Sequence, residues 1–250
     1  GFENVAVGLN ALLSATNSDA SNNTALGAET MKMNTTGTQN TAVGKASMIL
    51  NESGDFNTAI GAYSLKINTS ADANTAIGYE TLFANQTGTY GTAVGYRALK
   101  ATTVSSNTAV GAFAGQGITN GGNCVAVGTY ALMGASGNDC TAVGYNSLAA
   151  NTGTDNTAIG KNAMSANTSG AFNTAVGFMA MVGTSAGYSR NVAVGYQAGV
   201  ALTNGGYNTF VGMFAGNDVT TGGGNTTLGY GMTASSGGSV RGHIGYNNGS

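Results

Sequence analysis

Proline and tryptophan are absent from the 250 residues, histidine occurs once, cysteine twice, and charged side chains make up only 7%. Each shortage excludes something. Proline cannot donate to a hydrogen-bond ladder, so a chain without it is free to be ladder almost throughout. A nucleophile–histidine–acid system needs a histidine in a supported pocket, and His243 stands near the end of the chain with no array of acids before it. Ordinary globular proteins are about 25% charged. The eight basic residues here (Lys32, Lys45, Lys66, Arg97, Lys100, Lys161, Arg190 and Arg241) are scattered along the sequence, which argues against a nucleic-acid partner. No apolar run approaches the roughly 18 residues of a membrane span, so membrane insertion is not expected. The chain starts at Gly1 rather than methionine, and we read it as a segment or processed product.

What the sequence has in abundance is repetition. Asn156-Thr157-Ala158-Ile159-Gly160 returns in variant form about every 17 residues, with fifteen closing glycines from Gly8 to Gly245. Helical-pair arrays need roughly 33 to 47 residues per unit and propeller blades about 40, so the period fits one turn of a β-solenoid. The fold expected is all-β: a parallel β-solenoid of about fifteen coils, roughly 70 Å long at about 4.8 Å per coil. Residues 1–233 form the repeat domain, and 234–250 form the last coil and an exit to a downstream region.

Within the motif, alternation puts Thr and the aliphatic on one face and Ala and Gly on the other. We assign the aliphatic face to the core and the small face to close backbone approach. A second apolar position, four residues after the glycine, predicts a second strand. Leu65, Leu82, Leu99 and Leu148 are therefore expected to be buried with Ile60, Ile77, Val94 and Val143. Three coils carry Gly115, Gly199 and Gly216 at that second position. Phe113 and Phe214 are expected to fill the volume in two of them, and Val200 or Leu202 in the third. Asparagines recur four before the glycine (Asn40, Asn57, Asn74) and seven after it (Asn34, Asn51, Asn68, Asn85, Asn167). Asparagine suits turns and left-handed backbone, and that explains the second set better than its match to glycosylation acceptors.

Candidate chemistry is sparse. Glycosidases need two carboxylates across a cleft, and two pairs stand out, Asp139 with Asp155 on neighbouring coils and Glu52 with Asp55 in one loop. Calcium suits such oxygens, yet the nonapeptide calcium-roll signature is missing. No catalytic residue, metal site or cofactor is assigned. Tyrosines beside the glycines (Tyr79, Tyr96, Tyr145, Tyr196, Tyr230, Tyr246) form a stripe that suits either glycan stacking or packing between protomers. Cys124 and Cys140 occupy the asparagine slot of successive coils, where a spacing of about 4.8 Å falls inside the roughly 4.4 to 6.8 Å that a disulfide spans.

Asn-Thr-Ala-Val/Ile-Gly followed by Ala/Ser-Leu resembles the left-handed β-roll repeat of trimeric autotransporter adhesin heads and, more closely, the Asn-Thr-Ala-Val-Gly arrays of bacteriophage tail fibres. The resemblance covers nearly the whole chain. It implies a left-handed roll, a parallel homotrimer, receptor contacts with a cell-surface glycan or protein, and an extracellular place on a virion tail fibre or bacterial surface. The stretch from Asn225 through Ser236 is similar to what precedes the self-cleaving chaperone domain of phage fibres. The expected function is that of a non-enzymatic fibre or adhesin segment that spaces and displays receptor-binding surface. An ice-binding solenoid, suggested by the threonine column, and a glycan-depolymerising tail fibre are the alternatives.

Overall fold

The computed structural model describes residues 3–15, 19–134, 137–183, 187–233 and 242–245. Most of the expected exit region, including Arg241 and Tyr246, lies outside the described residues. The chain forms two compact units, Gly1–Cys124 and Val125–Ser250. The first holds β1 (Val5–Val7), β2 (Thr24–Leu26), β3 (Thr41–Val43), β4 (Thr58–Ile60), β5 (Thr75–Ile77), β6 (Thr92–Val94) and β7 (Thr108–Val110). The second holds β8 (Val125–Val127), β9 (Thr141–Val143), β10 (Thr157–Ile159), β11 (Thr174–Val176), β12 (Val192–Val194), β13 (Thr209–Val211), β14 (Thr226–Leu228) and β15 (Gly242–Ile244).

In each unit every strand pairs in parallel with the next, motif residue on motif residue: Thr41 on Thr58, Ala42 on Ala59, Val43 on Ile60. Seven strands close six turns and eight close seven, so the all-β parallel solenoid has about thirteen turns. The bonding rule is simple. The first strand residue donates its N–H to the next coil, as Thr41 does to Asn57 O at 2.8 Å, and the closing glycine donates to the previous one, as Gly61 does to Val43 O at 2.7 Å.

The two strand faces are the reverse of the sequence expectation. The motif alanines, among them Ala59, Ala76, Ala93 and Ala142, are fully buried, whereas Ile60 and Ile77 are 39% and 37% exposed and Val94 and Val143 are half-buried. The leucines four residues after the glycine are buried as expected. The physical reason is width. A single thin roll has one narrow interior, and Leu65 or Leu82 entering from the far side leaves room for only a methyl opposite.

Among the described residues the predicted second strand is also absent. Its apolar residues carry left-handed backbone, with φ of 45° at Leu65, 47° at Leu82 and 48° at Leu148. Each coil thus has a single three-residue strand, and the rest is a turn segment still bonded coil to coil, as Leu65 N–H to Thr81 O at 3.0 Å and Leu82 N–H to Ala98 O at 3.1 Å. Left-handed backbone costs a side-chain-bearing residue roughly 1–2 kcal/mol. That explains the glycines at this slot: Gly115, Gly199 and Gly216 adopt φ of 59–62° at no such cost.

Their missing side chains are replaced differently from expectation. Ile118, Leu202 and Val219, three residues further on, are buried where six other coils place an asparagine. Phe210 replaces a motif alanine, is fully buried, and lays its ring where Cβ atoms on Gly199 and Gly216 would stand. Phe113 and Phe214 lie outside, in an aromatic ladder with Tyr96 and Tyr196, and Val200 is only half-buried.

Both asparagine sets run as buried ladders. Asn57 donates from Nδ2 to Asn40 Oδ1 at 3.2 Å and to Ala71 O at 2.8 Å, while its own Oδ1 accepts from Asn74 N at 3.0 Å. In the second set Asn68 Nδ2 donates to Asn51 Oδ1 at 2.7 Å and Asn51 Nδ2 to Asn34 Oδ1 at 3.0 Å. Since these amides are buried and bonded, the folded chain offers none of them for glycosylation.

Tyr188 is the largest fully buried side chain, and its hydroxyl donates to Met181 O at 3.0 Å. Burial pushes its phenol far above the ordinary value. An unfolded tyrosine ionises near pH 10, so between that pH and the raised value only the unfolded chain loses the proton. Stability should therefore be complete below about pH 10 and fall as pH rises beyond it. Tyr188→Phe should cost about 1 kcal/mol at neutral pH and flatten the alkaline decline. Urea titrations at neutral and alkaline pH read both effects, and an unaltered alkaline slope would show that another group governs it.

Candidate functional site

Turning the motif inside out brings its aliphatics to the surface. Val7, Leu26, Ile60, Ile77 and Val110 in the first unit, and Ile159, Val194 and Leu228 in the second, are exposed, each with a threonine or valine on the same face two residues earlier in its strand. β-branched residues are at home on such a pleated, half-open surface. Sequence reasoning had placed these side chains in the core.

Beside the strands runs the tyrosine stripe. Tyr79, Tyr96, Tyr145, Tyr196 and Tyr230 are 38% to 48% exposed, so the stripe is a surface feature of the single chain. Its rings nevertheless pack on one another. Tyr79 and Tyr96 stack with centroids 5.5 Å apart and planes 12° from parallel, and Tyr63 and Phe113 meet this pair edge-on at 6.0 and 5.2 Å. In the second unit Phe178 and Tyr196 stack at 5.2 Å, followed edge-on by Phe214 and Tyr230. Between stacked rings the inner faces are occupied, and edges and hydroxyls are what these pairs present outward.

Cations attend the ladder. Arg97 lies 5.0 Å from the Tyr96 ring centre, Lys66 is 5.2 Å from Tyr63 and 5.1 Å from Phe83, and Lys161 is 5.9 Å from both Tyr145 and Phe178. Glu80 pairs with Arg97 Nε at 2.9 Å and with Lys100 Nζ at 2.7 Å. Desolvation pushes its carboxyl up, but hydrogen bonds from Lys100 and Tyr79 and the charges of Lys100 and Arg97 outweigh it, holding Glu80 below the usual carboxylate range. The hydrogen bond to Glu80, ahead of desolvation and the nearby negative charge, raises the Tyr79 phenol.

A second aromatic set escaped the sequence reading. Phe56, Tyr90, Phe172 and Tyr207 stand five residues before a motif glycine, are more than half exposed, and share left-handed backbone of φ 58–62°. Arg190 lies between two of them, 5.3 Å from Phe172 and 5.5 Å from Tyr207. Counting residues back from the glycine would have exposed this set.

The chain matches no family model, no curated protein and no solved structure.

One acid of each pair is tied into its turn, and so is Asp72. Asp55 Oδ1 accepts from Thr38 Oγ1 at 3.0 Å and from Thr38 N at 2.6 Å, and Asp72 Oδ1 accepts from Asp55 N at 2.8 Å. Asp155 Oδ2 accepts from Thr154 Oγ1 at 2.7 Å. Among the described residues no three His, Cys, Asp or Glu side chains gather in a way that would hold a metal ion, and no helix is long and apolar enough to cross a membrane.

Cys124 closes the first unit and Cys140 lies in the second; both are buried as thiols. Cys140 Sγ donates to Gly153 O at 3.4 Å, the role that Asn156 Nδ2 plays towards Gly170 O. His243 takes the alanine slot of β15, in register with Thr227.

Proposed function

We propose that the chain is a non-enzymatic fibre segment that associates as a parallel homotrimer and spaces and displays receptor-binding surface outside a virion or bacterial cell. The observation that carries this reading is the exposed aliphatic column. Monomeric soluble proteins rarely leave long contiguous apolar surface open, and here the motif presents Val, Ile or Leu outward coil after coil. The alanine–glycine face offered no such support once found inside the roll. Its glycines meet the next coil of the same chain instead.

Light scattering should return three times the chain mass of 24.6 kDa. Ile60→Asp together with Ile159→Asp should yield a folded monomer, because these side chains face out and such changes cost a single chain about 1 kcal/mol or less each. A wild-type monomer would overturn the trimer.

One observation favours a second reading. The outward Thr-x-aliphatic pairs on parallel strands form a regular hydroxyl–methyl array, the surface an ice-binding solenoid would need. Thermal hysteresis of the purified chain tests it, and freezing at the buffer's own point would end it.

A further inference from the structure

The overall charge of -2 conceals a separation within the first unit. Its five cations, Lys32, Lys45, Lys66, Arg97 and Lys100, all lie one to five residues after a motif glycine. Only Glu29 and Glu80 share that segment, leaving it three positive charges in excess. The other acids of the unit, Glu3, Asp19, Glu52, Asp55 and Asp72, all stand five to nine residues before a motif glycine, in the opposite turns. Asp55 and Asp72 have structural work there as turn acceptors. Lys45 and Lys66 have none: neither side chain makes an ion pair or hydrogen bond among the described residues, and Lys66 rests only on the Tyr63 and Phe83 rings.

The spacing is regular. Lys32, Lys66 and Lys100 each come five residues after a glycine on alternate coils, which sets them about 10 Å apart along the stack, two steps of about 4.8 Å. Phe83 holds the same slot between the last two, 5.1 Å from Lys66 Nζ and 5.5 Å from Lys100 Nζ. Beside this row Arg97 gives only its Nε to Glu80, and among the described residues its two terminal nitrogens meet no acceptor. We propose that this edge of the first unit binds a linear acidic polysaccharide carrying one carboxylate per disaccharide, the acid groups meeting the lysine row and Arg97 while Phe83 and Tyr63 contact the sugar rings between them.

The period selects among polyanions. Along a double helix each strand carries a phosphate about every 3.4 Å of axis, far denser than one lysine about every 10 Å, whereas a disaccharide is comparable in length to two coils. The proposal rests on the display role above and not on the trimer.

The test uses the full chain with a hyaluronan decasaccharide as probe, maltodecaose as the neutral comparator and a twenty-residue oligothymidylate as the nucleic-acid comparator, by calorimetry at low and moderate salt. The decasaccharide should bind, more weakly as salt screens the row, and neither comparator should match it. Lys66→Gln with Lys100→Gln should weaken binding about tenfold or more, while Lys161→Gln, in the other unit, should leave it unchanged; thermal melts confirm that each variant is folded. No binding, equal binding of maltodecaose, tighter binding of the oligothymidylate, or equal loss in Lys161→Gln would each overturn the proposal. Light scattering on the same samples separates the two readings: a trimer that ignores the probe ends this inference alone, and a monomer that binds it ends the trimer alone.

Discussion

Leu82→Asp should be among the most damaging single changes in the first unit, costing roughly 3–5 kcal/mol, the scale of leaving a charge unpaired in an interior. Leu82 is 1% exposed, and among the described residues no cation is buried to receive a carboxylate. Backbone preference works the other way. With φ at 47°, the site suits Asp or Asn better than Leu, so the loss isolates desolvation. Leu82→Asn, similar in shape and neutral, should lose clearly less. The introduced carboxyl would have a raised folded-state pKa, so the deficit should shrink as pH falls into the carboxylate range, where protonation removes the buried charge. Thermal melts at neutral and acid pH check both parts. A variant as stable as the parent would mean that this column faces water.

Gly144→Ala carries the second large expected effect. The glycine closing β9 has φ of +128°, and a Cβ there would stand 2.7 Å from both the carbonyl carbon and oxygen of Gly160. Backbone strain of about 1–3 kcal/mol adds to overpacking of about 1–3 kcal/mol, and the clash is with main chain, which cannot swing aside. Two other glycines separate these effects. Gly187 has φ of +115° but nothing within 4 Å of its Cβ position, so Gly187→Ala should show strain alone. At Gly122 the nearest atom is Ser105 O at 3.7 Å, and Gly122→Ala should be close to neutral. Denaturant midpoints should fall in the order Gly122, Gly187, Gly144, the largest loss last. If Gly144→Ala and Gly187→Ala lost equally, close approach of successive coils would not be what keeps the motif glycine.

The motif strand of each coil was legible, because an aliphatic–glycine step fixed at every 16 to 19 residues demands a short coil that stacks on its own copies. Which face points inward was not. Val and Ile outrank Ala in hydrophobicity, and only the width of the interior, set by Leu65 and its equivalents, reverses the choice. The conformation of the second apolar position was misread although a clue was present: Gly115, Gly199 and Gly216 replace leucine there, and glycine in a leucine column signals positive φ rather than a strand. Phe210 could have been recognised as the filler, since it enlarges the alanine column between the two coils that lose their leucine. The surface was harder to see. The lysines look scattered when read along the chain, and line up only when each is counted from its own glycine.

The asparagine ladders carry a genetic consequence. Each coil bonds to its neighbours through slots that recur from coil to coil, so removing residues 58–74 would join Asn57 to Thr75 and set Thr41 opposite Thr75 with the register kept. Whole coils of 16 to 19 residues are interchangeable parts, while a deletion that is not a whole number of coils would put other residues where leucines belong. Copy number can then drift by recombination between near-identical stretches without passing through a misfolded intermediate, and the number of coils in a unit becomes a heritable quantity, each coil adding about 4.8 Å to the stack.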